Sequence, residues 1–137
     1  MDPQRGLTAI LPCNDLNASE EFYRQLGFAR VDGSSDYDAT YRILSDGKGG
    51  HLHLVDAVEG WLVAGRNPFG LYLYTPDVDE LASRLDGRIL EAQKRPEDKP
   101  WGMYEFSVSD PDETLVRVGW PTRLRNSPPS ASEERER

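Results

Sequence analysis

The sequence is poor in the side chains that most readily bind metals or act as nucleophiles: 137 residues hold one cysteine and two histidines. Cys13 alone cannot form an internal disulfide, which excludes a disulfide scaffold and fits a reducing compartment. No apolar run approaches the roughly 18 residues of a membrane span. The opening Met1-Asp2-Pro3-Gln4-Arg5 lacks the charged-then-apolar order of a signal peptide. A cytoplasmic protein without a membrane partner is therefore expected. Basic residues are also in deficit, 16 Lys and Arg against 24 Asp and Glu, for a formal charge of −8. That balance argues against a general nucleic-acid binder, which is usually basic on at least one face. The length suits one compact domain, or two small halves sharing a core, and is short for a doubly wound nucleotide enzyme with a separate substrate domain.

The charge is unevenly spread. Residues 122–137 hold four Arg and three Glu, whereas 1–121 hold 12 basic and 21 acidic residues. The C-terminal stretch has one large apolar residue, Leu124, beside Pro128-Pro129. It buries too little to offset its ordering entropy, so 122–137 reads as a mobile tail after a single folded domain over 1–121.

Within that domain one pattern occurs twice. An apolar run at 8–13 reads as a strand. Asn17 with Glu20 three residues on reads as a capping box, followed by a buried stripe of Phe22, Tyr23 and Leu26 and a stop at Gly27. Candidate strands follow at 28–31, 40–44 and 51–55, separated by turn-rich segments. The Gly47-Lys48-Gly49-Gly50 segment lacks the spacing and strand-to-helix context of a phosphate loop and reads as a hairpin turn. From 70–74 the order repeats, with Asp77 before a helix carrying Val78, Leu81, Ala82 and Leu85, then Gly87 and strands at 89–92, 104–108 and 115–120. The expected fold is α+β: two βαβββ modules, about 6–57 and 69–121, whose sheets curl around a shared concave cleft. In the two last strands Leu52, Leu54, Val116 and Val118 form one alternation class and should face the helices. His53 and Arg117 fall in the other, facing either the concavity or simply solvent.

Asn14-Asp15-Leu16, Glu21-Phe22-Tyr23-Arg24 and Leu26-Gly27-Phe28 resemble the opening of the vicinal-oxygen-chelate superfamily, which includes glyoxalases, extradiol dioxygenases and bleomycin resistance proteins. Asp77-Val78-Asp79-Glu80-Leu81 is similar to its second helix start. Lys99-Pro100-Trp101-Gly102-Met103-Tyr104-Glu105-Phe106 with Asp110-Pro111-Asp112 is similar to the distal segment of the bleomycin-resistance branch. The resemblance implies an intertwined homodimer with two binding clefts, which the 56–69 connection helps to form.

The superfamily's enzymes hold a divalent metal with donors on the first and fourth strands of each module. The resemblance puts those places at Thr8, His53, Gly70 or Leu71, and Arg117. One donor of four survives, and a guanidinium, which stays protonated and cannot coordinate a cation, stands in the last place. The His51-x-His53 pair lacks carboxylates at a spacing that would complete a site. Cys13, just after Pro12 and with no evident base, reads as a buried apolar thiol. Asp77, Asp79, Asp110 and Asp112 are explained by helix starts and turns. No catalytic residue, metal or cofactor is expected.

What remains is a lined groove. Aromatic side chains fall at the expected cleft: Tyr37 and Tyr41 around the second-to-third strand loop, Trp61 in the connection, Tyr72 and Tyr74 on one strand face, and Trp101 in the Pro-Trp-Gly segment. With His53, Met103 and Arg117 they form the candidate ligand-binding set; Tyr23 and Trp120 read as structural. Flat rings in an acidic protein suit a cationic, planar ligand through stacking and cation–π contact. Arg117 would repel such a ligand unless paired, and Glu105 is a candidate partner. The resulting expectation is a non-catalytic protein that sequesters a bleomycin-like glycopeptide or another cationic aromatic small molecule. The alternative is a metal-dependent lyase, isomerase or dioxygenase.

Overall fold

A computed structural model describes residues 6–31 and 39–125. The fold is α+β, built of two βαβββ modules. The first contains β1 (Ala9–Cys13), α1 (Leu16–Gln25), β2 (Ala29–Arg30), β3 (Tyr41–Ser45) and β4 (His51–Asp56). The second contains β5 (Gly70–Tyr74), α2 (Val78–Arg84), β6 (Glu97–Asp98), β7 (Met103–Ser109) and β8 (Leu115–Pro121), followed by the short α3 (Thr122–Arg125). The sheet orders are β1-β4-β3-β2 and β5-β8-β7-β6, the same order twice, as a duplicated sequence requires. The chain divides into two compact units, Met1–Phe69 with Ser109–Leu115 and Gly70–Val108 with Val116–Arg137. Among the described residues no helix is long and apolar enough to cross a membrane.

In the first unit β1 runs parallel to β4, setting Ile10 opposite His53, and β3 runs antiparallel to β4. Leu11, Leu44, Leu52 and Leu54 are buried on one sheet face with Leu16, Phe22, Tyr23 and Leu26 of the α1 segment. Burying each such side chain contributes about 1.5–3 kcal/mol. Gly27, with φ of +97°, ends α1: the Gly27 N–H donates to the Arg24 carbonyl and the Phe28 N–H to the Tyr23 carbonyl. The helix starts two residues before the expected place. Asp15 is the cap, accepting the Ala18 N–H at 3.1 Å. Asn17 and Glu20 are drawn elsewhere, because Arg42 of β3 donates to both at 2.9 Å and Arg30 donates to Glu20 at 2.8 Å. Residues 46–50 form the β3–β4 hairpin, with Asp46 Oδ1 accepting the Lys48 and Gly50 N–H groups at 2.8 Å.

Two expected signature segments meet in this unit. The buried Tyr23 hydroxyl donates to Asp110 Oδ2 at 2.7 Å, and Asp110 Oδ1 accepts the Asp112 and Thr114 N–H groups. Asp112 in turn accepts the Asn14 N–H at 3.3 Å. The Asp110-Pro111-Asp112 carboxylates are thus turn makers and latches.

The core of the second unit contains Val78, Leu81, Ala82, Leu85 and Ile89 with Phe106, Val108, Val116 and Val118. The expected strand at 89–92 does not form. Leu90 donates one strand-like bond to Ser107, but the Glu91 side chain takes the Ser107 N–H at 2.8 Å, displacing a backbone partner. Lys94 then turns the chain at φ of +60°, and the pairing with β7 resumes at Glu97–Asp98. Asp77 precedes α2 as expected but its side chain makes no capping bond. Residues 122–125, read from the sequence as the start of a tail, form α3; Thr122 donates to Asp98 at 2.9 Å and Arg125 lies 3.4 Å over the Tyr104 ring. The rest of that stretch lies outside the described residues.

Candidate functional site

The candidate residues fall into two groups, one in each unit. In the first unit, β4 alternates as expected, with Leu52 and Leu54 buried and His53 half-buried on the other face. The Tyr41 hydroxyl lies 2.7 Å from His53 Nδ1 and the two rings meet edge to face at 5.3 Å. Burial, and secondarily the neighbouring His51, hold the His53 imidazole below its ordinary pKa. Trp61 is 62% exposed on the 56–69 connection. Tyr37 lies outside the described residues.

The second unit gathers three candidates, Tyr72, Trp101 and Arg117, around Glu105, which the sequence marks only as a possible ion-pair partner. Glu105, on β7, is 1% exposed. Its Oε1 accepts the Tyr72 hydroxyl at 2.7 Å and the Trp101 indole N–H at 3.2 Å. Its Oε2 stands 3.7 Å from an Arg117 guanidinium nitrogen on β8. Burial and the bond to Glu105 push the Tyr72 phenol well above its ordinary pKa, so it remains a donor. The Tyr72 and Tyr74 rings lie 4.6 Å apart at 35°, and Tyr74 is 65% exposed. Met103 is half-buried at the start of β7.

Local backbone chemistry puts Trp101 at the tip of the β6–β7 hairpin. The Gly102 N–H donates to the Lys99 carbonyl at 2.9 Å and the Lys99 N–H to the Met103 carbonyl at 2.8 Å. Pro100 presets the turn and Gly102 takes the positive φ, +88°, that the following position demands. The indole is 60% exposed although its N–H reaches a buried carboxylate. Gly119 supplies the room, since a Cβ there would lie 2.2 Å from the Tyr72 hydroxyl and 2.8 Å from the Glu105 Cβ.

A family model, Glyoxalase/Bleomycin resistance protein/Dioxygenase superfamily, matches residues 7–118. The chain belongs to this superfamily. Among solved structures, a bleomycin-binding protein complexed with bleomycin is 27% identical with a TM-score of 0.67, covering 85% of this chain and 98% of that one. A bleomycin resistance determinant encoded on the transposon Tn5 is also 27% identical, with a TM-score of 0.67 and coverage of 86% and 98%. A lactoylglutathione lyase from Agrobacterium tumefaciens, 23% identical with a TM-score of 0.62 over 90% of this chain and 98% of that one, shares the fold. A search of curated proteins found no match.

The donor set does not fit the metal of the superfamily's enzymes. Of the places carried over, Thr8, Gly70 and Leu71 bring no strong donor and Arg117 brings a cation; His53 alone is suitable, and its Nδ1 is engaged by Tyr41. Among the described residues, no three His, Cys, Asp or Glu side chains gather as a metal site would need. Cys13 is buried, and burial pushes its thiol up to about 11, away from nucleophilic use.

Proposed function

We propose that this superfamily member is a non-catalytic, cytoplasmic binding protein that sequesters a bleomycin-like glycopeptide, or another cationic aromatic compound, in clefts at a homodimer interface. The carrying observation is the aromatic surface of the second unit, in which Trp101 and Tyr74 remain largely exposed beside Tyr72 while the Trp101 indole N–H and the Tyr72 hydroxyl are both bonded to Glu105. Such exposed rings offer flat area for stacking and for cation–π contact worth about 0.5–2 kcal/mol each, and the indole already has its N–H bonded. The two 27% identical structures named as bleomycin-binding and bleomycin-resistance proteins support the ligand class. The acidic balance of 1–121, 21 acidic against 12 basic residues, favours a cationic ligand through the long-range field. Arg117 is the residue that opposes this, and its approach to Glu105 at 3.7 Å offsets the repulsion.

The test is calorimetry of the full chain with metal-free and copper-loaded bleomycin, paired with a DNA-cleavage protection assay and sedimentation analysis of the bound state. Saturable heat at a ratio of one ligand per chain, protection of DNA and a dimer are expected. No heat together with no protection sinks the ligand assignment.

A further inference from the structure

Resting on the antibiotic-binding reading for its ligand, we infer that Glu105 is a positioning residue that fixes the Trp101 and Tyr72 rings as one recognition platform, with Gly119 as the space that allows it. A Trp at an exposed hairpin tip would ordinarily sample several rotamers and lose that freedom on binding, at about 0.5–1.5 kcal/mol for such a side chain. Here the indole N–H is tied to Glu105 Oε1 at 3.2 Å, and the same oxygen holds the Tyr72 hydroxyl at 2.7 Å. One buried atom therefore sets the orientation of two rings, one from β5 and one from the β6–β7 turn. Tyr72 passes that orientation on to Tyr74, 4.6 Å away. Glu105 does not meet the ligand: at 1% exposure it acts through the rings and through Arg117. A charge-assisted bond is the stronger choice for such a tie, because a carboxylate can accept both donors on one oxygen and still face a guanidinium with the other.

The test compares Glu105→Met, which keeps length but removes the acceptor, with Glu105→Gln, which keeps an acceptor oxygen and removes the charge. Three indole N–H signals are expected in a nitrogen–proton correlation spectrum of the full chain, one per Trp, and Trp101→Phe assigns the one in question. In the wild-type chain the Trp101 indole proton should resonate downfield and exchange slowly despite the exposed ring. Glu105→Gln should retain that signal; Glu105→Met should lose both its shift and its protection and bind copper-loaded bleomycin about three- to tenfold more weakly. Fast exchange of the wild-type Trp101 proton overturns the inference even if Glu105→Met does not fold. So does a folded Glu105→Met chain with unchanged shift and affinity. A wild-type chain that shows the protected Trp101 signal but binds no bleomycin refutes the ligand reading while supporting the positioning role.

Discussion

Tyr23→Phe removes a single buried oxygen and should be costly. The Tyr23 hydroxyl donates to Asp110 Oδ2 at 2.7 Å, and the two side chains are almost fully buried. Phenylalanine fills the same space, so no cavity forms; the loss is a hydrogen bond to a carboxylate, about 2 kcal/mol. Asp110 keeps its bonds from the Asp112 and Thr114 N–H groups on the other oxygen, so the turn itself should survive. Urea unfolding at pH 7 measures the gap. Raising the pH supplies an internal check. Burial, and then the charge of Asp110, push the Tyr23 phenol far above its ordinary value of 10.0. Its contribution is therefore complete below pH 10 and is lost above it, because the unfolded chain releases the proton while the native chain does not. The loss runs at about 1.4 kcal/mol per pH unit. The Phe variant lacks this loss, so the wild-type advantage should shrink to under about 1 kcal/mol by pH 11. A gap under about 0.5 kcal/mol at pH 7, or one that is equal at pH 7 and pH 11, refutes the latch.

Gly119→Ala sets a methyl 2.2 Å from the Tyr72 hydroxyl and should cost about 1–3 kcal/mol in thermal or urea unfolding. Adding Tyr72→Phe removes the clashing oxygen but leaves the approach to Glu105 Cβ, so it should recover only part of that loss; a double variant no more stable than Gly119→Ala would show that the hydroxyl is not the limiting clash. Glu20 is held below its ordinary carboxylate range first by its hydrogen bonds from Arg30 and then by the charges of Arg30 and Arg42. Its contribution is full above about pH 4.5, the unfolded value, and is lost as pH falls through the lower native value. Glu20→Gln should therefore cost about 3 kcal/mol at pH 7, because it leaves the buried Arg42 without its carboxylate. It should also flatten the acid limb of the stability curve measured by urea unfolding; an unchanged acid limb would contradict the assignment.

The repeated strand–helix order, the stops at Gly27 and Gly87 and the two-class alternation of the last strands were legible in the sequence because each is local and periodic. The α1 cap was not. Asp15 and Asn17 are both good capping residues, and what removes Asn17 from the contest is Arg42, 25 residues away in β3. The strand expected at 89–92 fails for a similar reason, since Glu91 spends its side chain on the Ser107 backbone. Within the candidate site, the shared face of Tyr72 and Tyr74 follows from period-two spacing. Glu105 as a hub does not, because three of its partners come from β5, the β6–β7 turn and β8. A carboxylate set among the aromatic and apolar residues of β7, four residues after Trp101, was the available signal. A charged residue there has to be paired once the strand is buried.

The exchange of charge between neighbouring strands gives this site its character. Where the superfamily's enzymes are expected to offer a carboxylate to a metal, β8 presents Arg117, and the carboxylate appears instead on β7 as Glu105. A metal donor has to keep a lone pair open toward an ion shared with other donors. Glu105 is committed otherwise: one oxygen takes two hydrogen bonds and the other faces a guanidinium cation at 3.7 Å, which opposes a metal ion at the same place. The same arrangement changes what Arg117 does. An unopposed guanidinium beside exposed rings would repel a cation, whereas one set against a buried carboxylate contributes little net field. Trp101 and Tyr74 beside it are 60% and 65% exposed. The pair thus takes two opposed point charges largely out of the local field, and on the proposed reading the exposed ring area is what a planar ligand would meet.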